Sequence, residues 1–198
     1  MSLFLRSVRF TITAPAALLL GALSVVAAGG YIGIPVIDSG RAFGELPYTA
    51  LLPLAFVIVI GAIEARAAPL EAAASARRHA VLLTLVICAN AALYAIADCA
   101  TLAAMGGIDL AAARNAIGYT GLLFIGQAVL GLKRAPIVPA IYLIVATVFG
   151  RIHGVIQPWA WPATPAAGPD VLAALIMTAV AAMMACGCAR YFPARFYA

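Results

Sequence analysis

"AVLLTLVICANAALYAIADCATLAAM", residues 80–105, is the stretch that decides the fold. It carries one charged residue, Asp98, close to its far end. As a helix it rises about 39 Å at 1.5 Å per residue, more than the roughly 30 Å hydrocarbon core of a bilayer. The apolar residues run on continuously rather than alternating, which excludes a barrel strand. The stretch therefore reads as a helix in lipid.

The same window, moved outward from this stretch, finds five more apolar segments. The six are 10–30, 47–63, 80–105, 110–132, 136–150 and 171–189. Composition agrees, with 66% hydrophobic and only 10% charged residues. A soluble domain is nearer one half apolar and one quarter charged. The fold class that follows is an all-α polytopic membrane protein with six transmembrane helices, forming one transmembrane domain over residues 1–198. The first segment follows Arg6 and Arg9 as a signal peptide would, but it is long for one and is read as a retained span.

Charge sets the orientation. With six spans both termini share a side, which collects Arg6, Arg9, Arg66, Arg77, Arg78, Lys133, Arg134, Arg190 and Arg195. The other side collects only Arg41, Arg114 and Arg151. The richer side is cytoplasmic by the positive-inside rule, so both termini are expected inside a bacterial cytoplasmic (inner) membrane. Three outer loops follow: residues 31–46, the turn Gly106-Gly107-Ile108-Asp109, and Arg151–Asp170 with "QPWAWP" at 157–162. Trp159 and Trp161 in the last are expected to dip into the headgroup region. No basic patch interleaved with aromatics points to nucleic acid.

Between the second and third segments lies "EARAAPLEAAASARR", residues 64–78, which concentrates Glu64, Arg66, Glu71, Arg77 and Arg78. Pro69 suits the first turn of a helix, and the Ala-rich stretch after it favours helix. The reading is a short cytoplasmic helix across the membrane face, either a docking element or a solvated turn. In the third segment Asn90, Tyr94 and Asp98 recur at i, i+4 and i+8 on one helical face. They are the candidates for a translocation path, with interhelical hydrogen bonding as the alternative. Asp98 comes eighteen residues after Ala80, about 27 Å along the helix, and so lies toward the outer surface. In the fourth segment, which also carries Arg114 and Asn115, Gly118, Gly121 and Gly126 are candidates for close helix packing.

Catalytic arrangements are not found. His79 and His153 fall on opposite sides of the membrane in this topology, and neither has partners at a metal or nucleophile spacing. Cys88, Cys99, Cys186 and Cys188 fit no zinc pattern and read as apolar filler. A phosphate-loop near-miss at Gly126–Lys133 has its Lys one residue late and no hydroxyl after it.

In their order these parts resemble the permease subunits of type-2 ABC exporters. "ARNAIGYTGLLFIGQAVLG" (113–131) and "QPWAWPATPAAGPDVLAALI" (157–176) are similar to segments of small actinobacterial ABC-type membrane subunits. That resemblance implies that Ala65 to Arg78 is a coupling helix seated in an ATPase subunit. It implies a homodimer, or a pair with a related permease subunit, within the lipid bilayer. The chain itself would be no enzyme and bind no cofactor, with ATP and Mg held by the ATPase partner. The cargo would be a hydrophobic or amphipathic molecule. The alternatives are an ion-coupled secondary carrier and a non-transporting assembly or regulatory membrane subunit. One departure from the family stands out: only Met1–Arg9 precedes the first span, where these permeases carry a longer amphipathic helix.

Overall fold

Long runs of Ala, Leu, Ile and Val with few interruptions have no local alternative to helix in an apolar setting, because each backbone N–H then finds a carbonyl within its own segment. The computed structural model, which describes residues 8–38, 41–71, 76–107, 109–153, 155–164 and 168–191, is accordingly mostly helical. In chain order it contains α1 (Val8–Val26), β1 (Tyr31–Asp38), β2 (Arg41–Pro47), α2 (Tyr48–Glu71), α3 (Ala76–Ala104), α4 (Ala111–Leu130) and α5 (Ile137–Phe149). After these come β3 (Arg151–Ile152), β4 (Val155–Ile156), a 3-10 helix (Pro158–Ala163) and α6 (Gly168–Tyr191).

Each of the six apolar segments contains one α-helix. Two of those helices, through Tyr48–Ala65 and Val81–Ala104, are long and apolar enough to cross a membrane, each with mean hydropathy 2.0. The segment at 136–150 is the shortest of the six. Its helix has 13 residues, about 20 Å by helical rise, and falls short of a bilayer core.

Contacts between helix ends show that the helices run alternately up and down. Ser24, near the end of α1, meets Asp98, near the end of α3, and Asp98 meets the Ala113 amide at the start of α4. Asn115 on α4 reaches the Thr49 carbonyl at the start of α2. One end of the bundle therefore gathers the ends of α1 and α3 with the starts of α2 and α4. Helix α4 is the central helix and is buried along most of its length. Its small residues make that possible, since Ala112, Ala116 and Gly121 leave room for neighbours on several sides.

The loop expected at 31–46 is a β-hairpin, with β1 antiparallel to β2 in the register Tyr31↔Pro47, Gly33↔Glu45 and Pro35↔Phe43. Its base is closed by the Tyr48 amide donating to the Gly30 carbonyl at 3.1 Å. Ile34 and Glu45 of the hairpin share a small crevice with Ala146, Gly150 and Arg151, so the hairpin caps the bundle end beside α5. A second, two-residue ladder, Arg151↔Ile156 and Ile152↔Val155, opens the next loop.

Candidate functional site

Polar side chains in this fold collect at the capped end, around the first turns of α4. The backbone there would otherwise leave donors unsatisfied, because the first N–H groups of any helix lack intrahelical acceptors. Two carboxylates from outside the helix take them up. Asp109 Oδ1 accepts from the Ala111 amide at 2.9 Å, and Asp98 Oδ2 accepts from the Ala113 amide at 3.0 Å. The other Asp98 oxygen, Oδ1, lies 2.8 Å from Ser24 Oγ, which is itself 2.6 Å from the Gly21 carbonyl oxygen. Asp98 thus joins α1, α3 and α4 at one point.

One residue further along α4, Arg114 is the largest fully buried side chain among the described residues, at 1% exposure. Its guanidinium donates to the Trp161 carbonyl at 2.5 Å, the Thr164 carbonyl at 2.6 Å and the Thr164 hydroxyl at 3.1 Å. Its Nε donates to Asn115 Oδ1 at 3.2 Å, and Asn115 in turn donates to the carbonyls of Thr49 and Pro162. A planar fork with five donors suits such a set of convergent carbonyls. The result is a clamp that holds residues 158–164 onto the bundle. Trp161 completes it, its ring 5.4 Å from that of Tyr119 and 5.6 Å from that of Tyr142, with the Arg114 guanidinium 5.8 Å from its centroid. The Tyr142 hydroxyl donates to the Trp159 carbonyl.

Next to this clamp opens a cavity of about 190 Å³, lined by Arg114, Pro158, Trp161, Ala173, Ala174 and Met177. It lies between the clamped loop and the first half of α6. Its lining is largely apolar, with a buried cation in one wall.

The residues singled out from the sequence fall as follows. Asn90, Tyr94 and Asp98 do share one face of α3, and all three are buried. Asn90 donates back to the Val86 carbonyl on its own helix, and Tyr94 packs against Phe56 with ring centroids 4.9 Å apart. They sit among packed helices, with Tyr94 part of the apolar core. The three glycines each meet a neighbour in the same chain. A Cβ on Gly118 would lie 2.5 Å from the Trp161 ring, one on Gly121 2.9 Å from Thr178 Oγ1, and one on Gly126 2.6 Å from the Ala135 carbonyl oxygen. Gly121 sets the approach of α4 on α6, and Gly126 lies against Ala135 and, on α5, Val138.

The separate short helix expected over 65–78 is not what forms. Helix α2 instead extends through Arg66 and Pro69 to Glu71 as one element. Arg77 and Arg78 lie in the first turn of α3, and residues 72–75 lie outside the described residues. Glu64 is 3% exposed, so its carboxylate lies inside the fold. Trp161 also departs from expectation, because its ring packs inward on Tyr119 and Arg114 rather than dipping into an interface; Trp159 is the exposed one.

His153 stands exposed in the turn between β3 and β4 with φ 52°, and His79 lies in α3. Among the described residues no group of three His, Cys, Asp or Glu side chains could hold a metal ion. Sequence reasoning passed over Ser24 and Thr164 as partners. A lone Ser in an apolar run was the available signal for Ser24, since such hydroxyls bond across helices. No family model matches the chain, and neither a curated protein nor a solved structure is similar to it.

Proposed function

We propose that this chain is the membrane-spanning permease subunit of an ABC exporter, driven by a separate ATPase subunit. In this reading six helices cross a bacterial cytoplasmic membrane with both termini inside. The observation that carries the membrane part is an inverted polarity. Leu19, Ile144 and Met183 are 69%, 62% and 68% exposed, while Asn90, Asp98, Arg114, Asn115 and Gln127 are inside. A water-soluble fold buries the first kind and exposes the second; a fold solvated by lipid does the reverse.

The permease part rests on the charged connection between the two longest apolar helices. Glu71, Arg77 and Arg78 bracket it, within eight residues of chain. Seated on an ATPase, it would pass the closure of the ATP-bound pair to α2 and α3 as a push on their inner ends. Because α2 is continuous to Glu71, that push acts on a rigid rod. The chain would hydrolyse nothing itself; ATP and Mg would be bound by the partner, and a second copy or a related subunit would complete the permease. The cargo would be hydrophobic or amphipathic.

The packing of Asn90, Tyr94 and Asp98 between helices favours a second reading, a non-transporting assembly or regulatory subunit of the membrane. The triple reversal Glu71→Lys, Arg77→Glu, Arg78→Glu separates the two. Single exposed ion pairs contribute about 0–1 kcal/mol each, so all three changes are made together. The permease reading expects loss of ATPase co-purification with the topology intact; undiminished ATPase binding would sink the docking assignment.

A further inference from the structure

We infer that Asp98 holds a proton, as a neutral carboxylic acid at the junction of α1, α3 and α4. The inference comes from counting hydrogens. Ser24 Oγ lies 2.6 Å from the Gly21 carbonyl oxygen and 2.8 Å from Asp98 Oδ1. A serine hydroxyl has one hydrogen, and a backbone carbonyl can only accept. If Ser24 gave its hydrogen to Asp98, the Gly21 oxygen would face Ser24 Oγ at 2.6 Å with lone pairs opposed. If Ser24 gave it to Gly21, an ionised Asp98 would face the same oxygen with no hydrogen between them.

A protonated Asp98 resolves both contacts. Its O–H donates to Ser24 Oγ, Ser24 donates to the Gly21 carbonyl, and Asp98 Oδ2 remains to accept from the Ala113 amide at 3.0 Å. Each of the three contacts among Gly21, Ser24, Asp98 and Ala113 then has one hydrogen between its two atoms, as buried polar groups require.

The surroundings agree. Among the described residues the titratable groups that face Asp98 are Tyr94 and Cys99 on its own helix and Asp109 ahead of α4, none of them a cation. On α1 the group that meets it is the Ser24 hydroxyl. Arg114 directs its guanidinium to residues 161–164 and to Asn115. The start of α4 favours a negative charge, but Asp109 already occupies it at Ala111. The dipole effect is also smaller than the desolvation of a carboxylate with no cation beside it. The junction is therefore a proton-binding site that lets three helices share a polar contact without a buried charge.

Infrared difference spectroscopy on the full-length protein at neutral pH tests this. Wild type minus Asp98→Asn should show a protonated-carboxyl C=O stretch that shifts on exchange into heavy water. Asparagine keeps one donor for Ser24 and one acceptor for Ala113, so the variant should fold. Should it not, wild type minus Ser24→Ala gives the same answer, because removing the acceptor shifts the acid's C=O band to yield a paired feature. A carboxylate stretch in place of the C=O band, in either comparison, overturns the proposal.

Discussion

Replacing Arg114 by methionine removes the clamp on residues 158–164 while keeping an unbranched side chain in its place. The loop carbonyls of Trp161 and Thr164 each accept from the guanidinium, at 2.5 and 2.6 Å. A hydrogen bond to a charged group contributes about 1.5–3 kcal/mol, so losing these two costs about 3–6 kcal/mol. For a chain of this size even the lower figure lowers the melting temperature by roughly 6–12 °C. Arg114→Lys should fall between, since one ammonium cannot reproduce a planar fork spanning Asn115 and two carbonyls. The assay is thermal unfolding in detergent, with Trp161 fluorescence followed in a Trp159→Phe background. Trp161 is then the sole tryptophan, because the sequence has two. Release of the loop takes its ring away from Tyr119 and Tyr142 and shifts emission to the red. Arg114→Met with wild-type melting and unchanged Trp161 emission would refute the clamp.

Gly121→Val should separate α4 from α6, because its Cβ meets Thr178 Oγ1 at 2.9 Å and Thr178 Cα at 3.1 Å. Overpacking of this kind costs about 1–3 kcal/mol, whereas Gly33→Val, at a position with nothing within 4 Å, should leave the melting temperature alone; equal melting of the two variants would show that the α4–α6 contact is not tight. In a cysteine-free background, a single cysteine at Ser39 or His153 should react with an impermeant reagent from outside and one at Ser75 should not. Labelling of Ser75 from outside would overturn the orientation.

Much of the helical order was legible in the sequence because long apolar runs are a local property. The segment 110–132 became α4 (Ala111–Leu130) and 80–105 became α3 (Ala76–Ala104). The common face of Asn90, Tyr94 and Asp98 was legible for the same reason, as helical period alone sets it. The hairpin was not seen, because a window tuned to spans treats 31–46 as the gap between them. Its signals were present: Ile32, Ile34 and Val36 at alternate positions, then Ser39-Gly40, a dipeptide that marks turns.

The polar site was visible only in part. Arg114 and Asn115 stood out as charge and amide at the start of an apolar run, yet their partners lie 47 to 66 positions away in sequence. Asp98 finds Ser24 across 74 positions. Pairings of that separation follow from which helix ends come together, and no local pattern encodes them. The extent of α2 was missed for a different reason. Pro69 reads locally as a helix start, but α2 begins at Tyr48 and extends past it to Glu71.

The central claim is that this chain is one half of a membrane machine whose other half hydrolyses ATP. Purification of the tagged chain in mild detergent from membranes of the cell that produces it, with the mass of the intact particle and its ATP hydrolysis recorded together, tests this most directly. The account predicts a particle containing this chain and a nucleotide-binding ATPase subunit, hydrolysing ATP, which the triple reversal at Glu71, Arg77 and Arg78 splits into its parts. A stable particle holding this chain with no ATPase subunit and no hydrolysis would contradict it.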